Sequence, residues 1–302
     1  MKSFLISCSK ISVFIFLFCL WQNALNAQDS TATKIVKKKY VKRTFEGNYI
    51  IDNQSVMVPQ AKTLSFDIQH RFGTVQNSFH DFFGFFNIAT MRLAVEYTPV
   101  KNLQIGTGLS GDRNQVDFNL KYAILRQTED GSMPISMTYF GDMAIDTRGS
   151  YDTTAMYISF GQRFSYFHQI IIARKFSENF SLQIAPSWSH FNSIVGSDGN
   201  MVVGMRDNHF AVAFSGRYKI SPKTAIIAGY DMPLSNTNGI IPNPLPNLSL
   251  GFDFTTSGHD FQVFIGNYAH ILPQNNNYYN QNSDNMLSQF LIGFNISRLW
   301  NF

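Results

Sequence analysis

Gln289-Phe290-Leu291-Ile292-Gly293-Phe294-Asn295-Ile296-Ser297-Arg298-Leu299-Trp300-Asn301-Phe302 is the stretch on which the fold turns. Phe294, Ile296, Trp300 and Phe302 share one parity, while Asn295, Ser297 and Asn301 take the other. A period of two is the repeat of a β-strand whose faces meet different surroundings. The segment therefore reads as a strand with one apolar, aromatic-rich face.

The same pattern recurs upstream, which gives twelve expected strands. In 62–73, Leu64, Phe66, Ile68 and Phe72 oppose Ser65, Asp67, Gln69 and Arg71; in 88–98, Met91, Leu93, Val95 and Tyr97 oppose Thr90, Arg92 and Glu96. In 115–126, Val116, Phe118, Leu120, Tyr122 and Ile124 oppose Asp117, Asn119 and Lys121; in 180–191, Phe180, Leu182, Ile184 and Trp188 oppose Ser181, Gln183 and Ser187. The others are 103–110, 135–144, 157–173, 208–219, 224–234, 247–255, 260–269 and 286–302. His168 on the apolar face of 157–173 suggests a bulge there. Most of these segments are close to the about 9–11 residues of a tilted strand crossing a bilayer.

Charged and aromatic residues each make up 15% of the chain, with 29 Phe and 13 Tyr. Beyond the N-terminus no apolar run is long enough for a membrane helix. A chain of this composition can be buried in lipid only as a closed barrel, where every backbone N–H and C=O finds a partner. The fold class expected is thus an all-β antiparallel transmembrane barrel of about 12 strands.

Short connections (98–102, 128–134, 174–179, 219–223, 255–259) alternate with long ones (73–87, 145–155, 192–207, 235–246, 270–285), and only 111–114 departs from the alternation. Outer-membrane barrels have short periplasmic turns and long outer loops, so both termini are expected to be periplasmic. A soluble β-sandwich shares the alternation along strands but does not account for the loop asymmetry. A terminal strand ending in an aromatic residue resembles the signal by which such barrels are inserted. This implies an insertion role for Phe294, Ile296, Trp300 and Phe302, with the barrel-assembly machinery as a partner and outer-membrane lipid and lipopolysaccharide as the surroundings.

Residues 1–27 combine Lys2 and Lys10, an apolar run from Ile11 to Trp21, and small residues at Ala24 and Ala27. This is the pattern of a cleaved secretory signal peptide. The run is too short for the about 20 residues of a membrane-spanning helix, and Phe18 before Cys19 does not suit lipidation. Cys8 and Cys19 are the only cysteines, so the expected mature chain forms neither disulfides nor thiolate metal sites.

Leu64-Ser65-Phe66-Asp67-Ile68-Gln69-His70-Arg71-Phe72-Gly73, Asp81-Phe82-Phe83-Gly84, Arg92-Leu93-Ala94-Val95-Glu96-Tyr97 and Leu120-Lys121-Tyr122 resemble a family of bacterial outer-membrane β-barrels catalogued as a domain of unknown function. The His-Arg-Phe-Gly strand end and the Phe-Phe-Gly loop are its most specific elements, and the similarity runs from about Phe45 to the end. The resemblance implies an outer-membrane barrel. It carries over no functional residues.

Residues 28–44 hold Lys34, Lys37, Lys38, Lys39, Lys42 and Arg43 against Asp29, a net of +5, and leave residues 45–302 with 16 basic and 19 acidic residues, net −3. The segment reads as a disordered periplasmic tail, able to tether an anionic partner; nucleic acid is excluded by the compartment. Residues 45–61 are expected to form a periplasmic cap or plug, and 62–302 the barrel. Twelve strands fall between the eight that side chains fill and the sixteen that leave an open channel. Lumen-lining charges are expected at Asp67, Arg71, Arg92, Glu96, Asp117, Lys121, Arg163, Arg217, Asp231 and Asp253. Their mixed signs suit pairing across a packed interior better than a pore selective for one charge.

Nothing in the chain points to a cofactor. His80, Asp81, Asp198, Asp207 and His270 fit no metal-ligand spacing. Phospholipase A-type barrels carry a His-x-Ser pair on the lipid face; here His190 is followed by Asn192 on the same face, with Ser193 pointing the other way. The expectation is a non-enzymatic barrel, either a narrow channel for small polar solutes or the membrane component of an envelope assembly, with a plugged scaffold as the alternative.

Overall fold

The computed structural model describes residues 39–148, 159–194, 207–235, 243–280 and 289–302. Two short strands, β1 (Tyr49–Ile50) and β2 (Asn53–Gln54), form a hairpin. Twelve longer strands follow: β3 (Thr63–Thr74), β4 (Thr90–Val100), β5 (Leu103–Ser110), β6 (Gln115–Leu125), β7 (Ser136–Asp146), β8 (Phe164–Lys175), β9 (Phe180–Phe191), β10 (Asn208–Ser221), β11 (Thr224–Pro233), β12 (Asn247–Thr255), β13 (His259–Gly266) and β14 (Leu291–Asn301). Each pairs antiparallel with its sequence neighbours, and β14 pairs with β3 to close the barrel. Closure satisfies the strand backbones and leaves no edge, the condition for crossing lipid with strands. No helix among the described residues is long and apolar enough to cross a membrane.

The alternation becomes two surfaces. Ile105, Leu109, Phe118, Tyr122, Phe214, Leu250, Phe252, Val263 and Ile265 are exposed on the outside, while Gln104, Asn119, Lys121, Ser215, Asp253 and Gln262 are buried inside. Strand β3 and the end of β14 meet beside Lys62, whose carbonyl accepts from the Phe302 amide at 3.1 Å. The short connections lie at that end, except 111–114, which joins β5 to β6 at the other, where the long ones begin. Within the 267–290 connection a short helix, α1 (Pro273–Tyr279), is largely buried.

Two expectations change. The expected strand 157–173 begins only at Phe164, because Phe160–Arg163 form a 3-10 turn in which the Ser159 amide donates to Gln162 Oε1 at 3.1 Å. No bulge interrupts the pairing of β8 with β9: His168 lies on the outer face, stacked on Trp188 at 5.1 Å and bonded through Nδ1 to the Tyr139 hydroxyl at 2.6 Å. A histidine is held here by aromatic neighbours and a phenol. Second, residues 39–44 were grouped with the solvated tail, yet Val41 donates its amide to Gln127 O at 2.9 Å, Lys39 O accepts from Glu129 at 3.0 Å, and Thr44 is buried. The main chain of the β6–β7 connection supplies partners that basic composition does not reveal. Lys39, Lys42 and Arg43 are exposed there; Lys34, Lys37 and Lys38 lie outside the described residues.

Candidate functional site: the filled lumen

The β1–β2 hairpin sits inside the barrel. Its turn needs a left-handed residue, supplied by Ile51 at φ 60°. Its apolar side chains, Phe45, Ile50, Ile51 and Val56, pack on inward-facing Phe140, Phe167, Ile171, Ala173, Ala185, Ala213, Ile227 and Phe264. Burying each large side chain in this way stabilises by about 1.5–3 kcal/mol. Between β7 and β11 the inner face thus carries an apolar patch set among polar side chains.

The opposite wall is charged, and the hairpin turns its polar groups to it. Arg71 pairs with Asp52, donates to Asn295 Oδ1 at 3.0 Å and lies 4.5 Å from the Phe264 ring centroid. Arg92 grips Asp117 through two bonds of 2.8 and 2.6 Å and donates to Gln69 and the Tyr49 hydroxyl, each at 3.0 Å. Tyr49 in turn donates to Glu96 at 2.8 Å, and Asn48 reaches the other oxygen of Glu96 at 2.7 Å. Two inward glycines of β5 make room for this cluster: a Cβ on Gly108 would stand 2.5 Å from both Arg92 Nε and Asp117 Oδ2.

The hairpin backbone is held just as closely. Gln262 accepts from the Ile51 amide at 3.0 Å and donates to Tyr49 O at 2.9 Å; Gln183 treats Val56 and Gln54 in the same way at 3.0 and 2.8 Å. Asn295 donates to Ile51 O at 2.6 Å, Thr138 to Val56 O at 2.7 Å, and Lys121 Nζ to Asn48 O at 3.2 Å. Wall side chains thus supply the partners that a lone two-stranded hairpin lacks.

Helix α1 enters from the long-connection end. Gln274 donates to Asp142 at 2.9 Å, Asn275 to Gln115 at 2.7 Å, and Asn276 to Asp52 at 3.3 Å, where helix and hairpin meet. The gap lined by Tyr49, Asp52, Arg92, Phe140, Asp142 and Leu272 measures about 10 Å³, space for roughly one water. Above it Asp112, in the β5–β6 turn, accepts from His270 Nδ1 at 2.9 Å and from Asn275 at 3.2 Å. Burial alone would raise the Asp112 carboxyl, but His270, Arg113 and Asn275 outweigh it and hold the group below the usual carboxylate range.

The structure brings nine of the ten residues read as lumen charges onto the buried inner face. Besides those above, Asp67 accepts from Ser65 at 2.7 Å and from Ser297, Arg217 joins Asp253 at 2.9 Å and Glu46 at 3.3 Å, and Asp231 accepts from Asn53 at 2.7 Å. Arg163 instead lies in the 3-10 turn at the rim, donating to the Asp146 and Arg148 carbonyls. Missed by the sequence reading were Asp142, Asp146 and Asp260 on the inner face and the hairpin's Asn48, Asp52 and Asn53; parity alone marks the first three. Phe294 and Ile296 face outward, Arg298 lies over the Trp300 ring at 5.0 Å, and Phe302 is exposed at the rim. His190 bonds Asn208 at 3.1 Å beside Trp188 and Tyr166, in an outer aromatic belt. Among the described residues no cluster of His, Cys, Asp or Glu is arranged to hold a metal ion; Asp198 lies outside them.

A closed barrel with an apolar outer face and a filled polar interior agrees with the family model "Membrane bound beta barrel domain (DUF5777)", which matches residues 45–300. The chain belongs to this family. It is a membrane-bound barrel of twelve antiparallel strands. No curated protein matches the sequence. Similar solved structures include the NanC porin (10% identity over 79% of this chain and 99% of that one, TM-score 0.46). Others are an outer-membrane channel from Pseudomonas putida F1 (12%, 81% and 97%, 0.47) and the KdgM porin in complex with disordered oligogalacturonate (6%, 80% and 99%, 0.44). These are likenesses of barrel form.

Proposed function

We propose that this is a non-enzymatic outer-membrane barrel closed by its own N-terminal segment, serving as the membrane component of an envelope assembly. The observation that carries the reading is the contact between Asp52 of the hairpin and Asn276 of α1, which joins two fillings entering from opposite ends. With both termini periplasmic, a signal peptide over 1–27 removed and the last strand recognised for insertion, Lys39, Lys42 and Arg43 stand at the periplasmic mouth. There they are suited to an anionic partner. Lipopolysaccharide surrounds the opposite rim.

A second reading, a narrow channel for small polar solutes opened when the hairpin withdraws, is favoured by the charged wall that Arg71, Arg92, Glu96 and Asp117 would then line. Single-channel conductance in planar bilayers separates the two readings. The chain from residue 28 is expected to be silent, and so is the same chain lacking residues 28–61, because the apolar patch left behind collapses or dewets. Steady openings from the truncated form, verified as folded, would favour the channel; openings from the complete form would remove the closed-barrel reading.

A further inference from the structure

The connection 75–89 carries an apolar surface that the filled lumen does not explain. Phe79, Phe82, Phe85, Phe86 and Ile88 are all exposed, Phe86 at 82% and Ile88 at 90%. The rings pack on one another: Phe79 on Phe83 at 4.9 Å, and Phe82 on Phe85 and Phe86 at 5.9 and 5.8 Å. Exposed aromatic patches on such a scale mark contact surfaces.

The connection has a fixed form. Gly84 sits at φ +86° with its carbonyl accepting from Gly73 at 3.0 Å, and a Cβ on it would fall 2.1 Å from Gly73 O. The two glycines of the resemblance thus meet, folding the Phe-Phe-Gly loop back onto the strand end. Between Arg71 and Arg92 the only Asp, Glu, Lys or Arg is Asp81, and its carboxylate accepts from the Gly84 amide at 2.9 Å and from Asn87 at 3.5 Å.

What the patch touches follows from its continuity with the lipid-facing surface. Phe85 packs on Phe72 at 4.3 Å, Phe72 on Phe294 at 6.0 Å, and Phe294 stacks on His70 at 4.9 Å. Phe72 and Phe294 lie on the outer face of β3 and β14, alternating with buried Arg71 and Asn295. An unbroken aromatic surface therefore runs from the membrane-facing wall onto the loop.

We propose that this connection is a membrane foot, with Phe79, Phe82, Phe86 and Ile88 seated among the acyl chains of the leaflet at the long-connection end. That this leaflet is the outer one rests on the orientation proposed above. The foot extends the apolar band at one point of the circumference and fixes how deep and at what tilt the barrel sits, as interfacial aromatics do.

The test uses the chain from residue 28, which contains no cysteine, carrying Phe86→Cys or Phe79→Cys labelled with bimane and reconstituted in phosphatidylcholine vesicles containing a doxyl-labelled lipid. Phe252→Cys on the lipid face and Asp130→Cys in the β6–β7 connection are the references. Quenching by the lipid within about twofold of the Phe252 position, with protection from aqueous iodide, is expected for a side chain seated about 5–10 Å into the interface. Iodide quenching equal to that at position 130 overturns the proposal, and so does protection from both quenchers, which would mean a protein-covered patch. If position 252 itself escapes the lipid quencher, it is the insertion of the barrel that has failed.

Discussion

Asp52, at the turn of the internal hairpin, forms a buried ion pair with Arg71 of the barrel wall. Both side chains are all but withdrawn from solvent, so the pair fixes where the hairpin stops. Removing one partner from such a pair costs about 3–5 kcal/mol, whereas exchanging both for apolar groups is near neutral. Asp52→Ala is expected to lose that amount in urea unfolding from detergent, and Asp52→Leu with Arg71→Met to recover most of it.

Phe45 anchors the other side of the hairpin, 1% exposed against the apolar patch. Truncation leaves a cavity, and Phe45→Ala is expected to cost about 3–5 kcal/mol. Limited proteolysis should then cut within 39–61 faster than in the parent, while cleavage in the barrel strands stays unchanged.

Gly108 tests the room made for the Arg92–Asp117 pair. Gly108→Val drives carbon into both partners and is expected to destabilise by about 1–3 kcal/mol. Gly111→Ala, whose Cβ would meet only Met91 O at 3.6 Å, should change stability by less than about 0.5 kcal/mol.

Asp112 gives a pH dependence whose sign is fixed. Its carboxyl is held below its usual value in the folded state, so its contribution is complete above the unfolded value of about 3.9 and is lost as pH falls through the lowered folded one. Between pH 5 and the acid limit, the hydrogen-exchange protection factor at the start of α1, measured against the intrinsic rate at each pH, should fall in the parent. In Asp112→Asn that acid-dependent step should be absent.

The barrel was legible because lipid outside and polar groups inside impose opposite demands on adjacent residues. β5, β9 and β12 could be bounded directly from that contrast. β7 and β8 were harder: Phe140, Phe167 and Ile171 face inward yet are apolar, since they pack on the hairpin, and parity loses its meaning where both faces are oily. The same coupling left 45–61 readable as a cap or plug but not as a hairpin, since its mixture of Tyr49, Ile50, Ile51, Asp52 and Asn53 resembles a loop until its two unlike surroundings are known. Arg163 kept a strand-like spacing but lies in a turn closed by Ser159 and Gln162.

The hairpin's bonds to the wall join residues as far apart as 211 and 244 positions, from Ile51 to Gln262 and to Asn295. Contacts so remote in sequence come at a high loop-closure entropy and form late. Asp52 and Tyr49 find Arg71 and Glu96 on the first strands, but the full set of the hairpin's partners exists only once the last strands do. The hairpin thus acts as a seal on the ring: its set of bonds is complete only when the first strand and the last stand side by side.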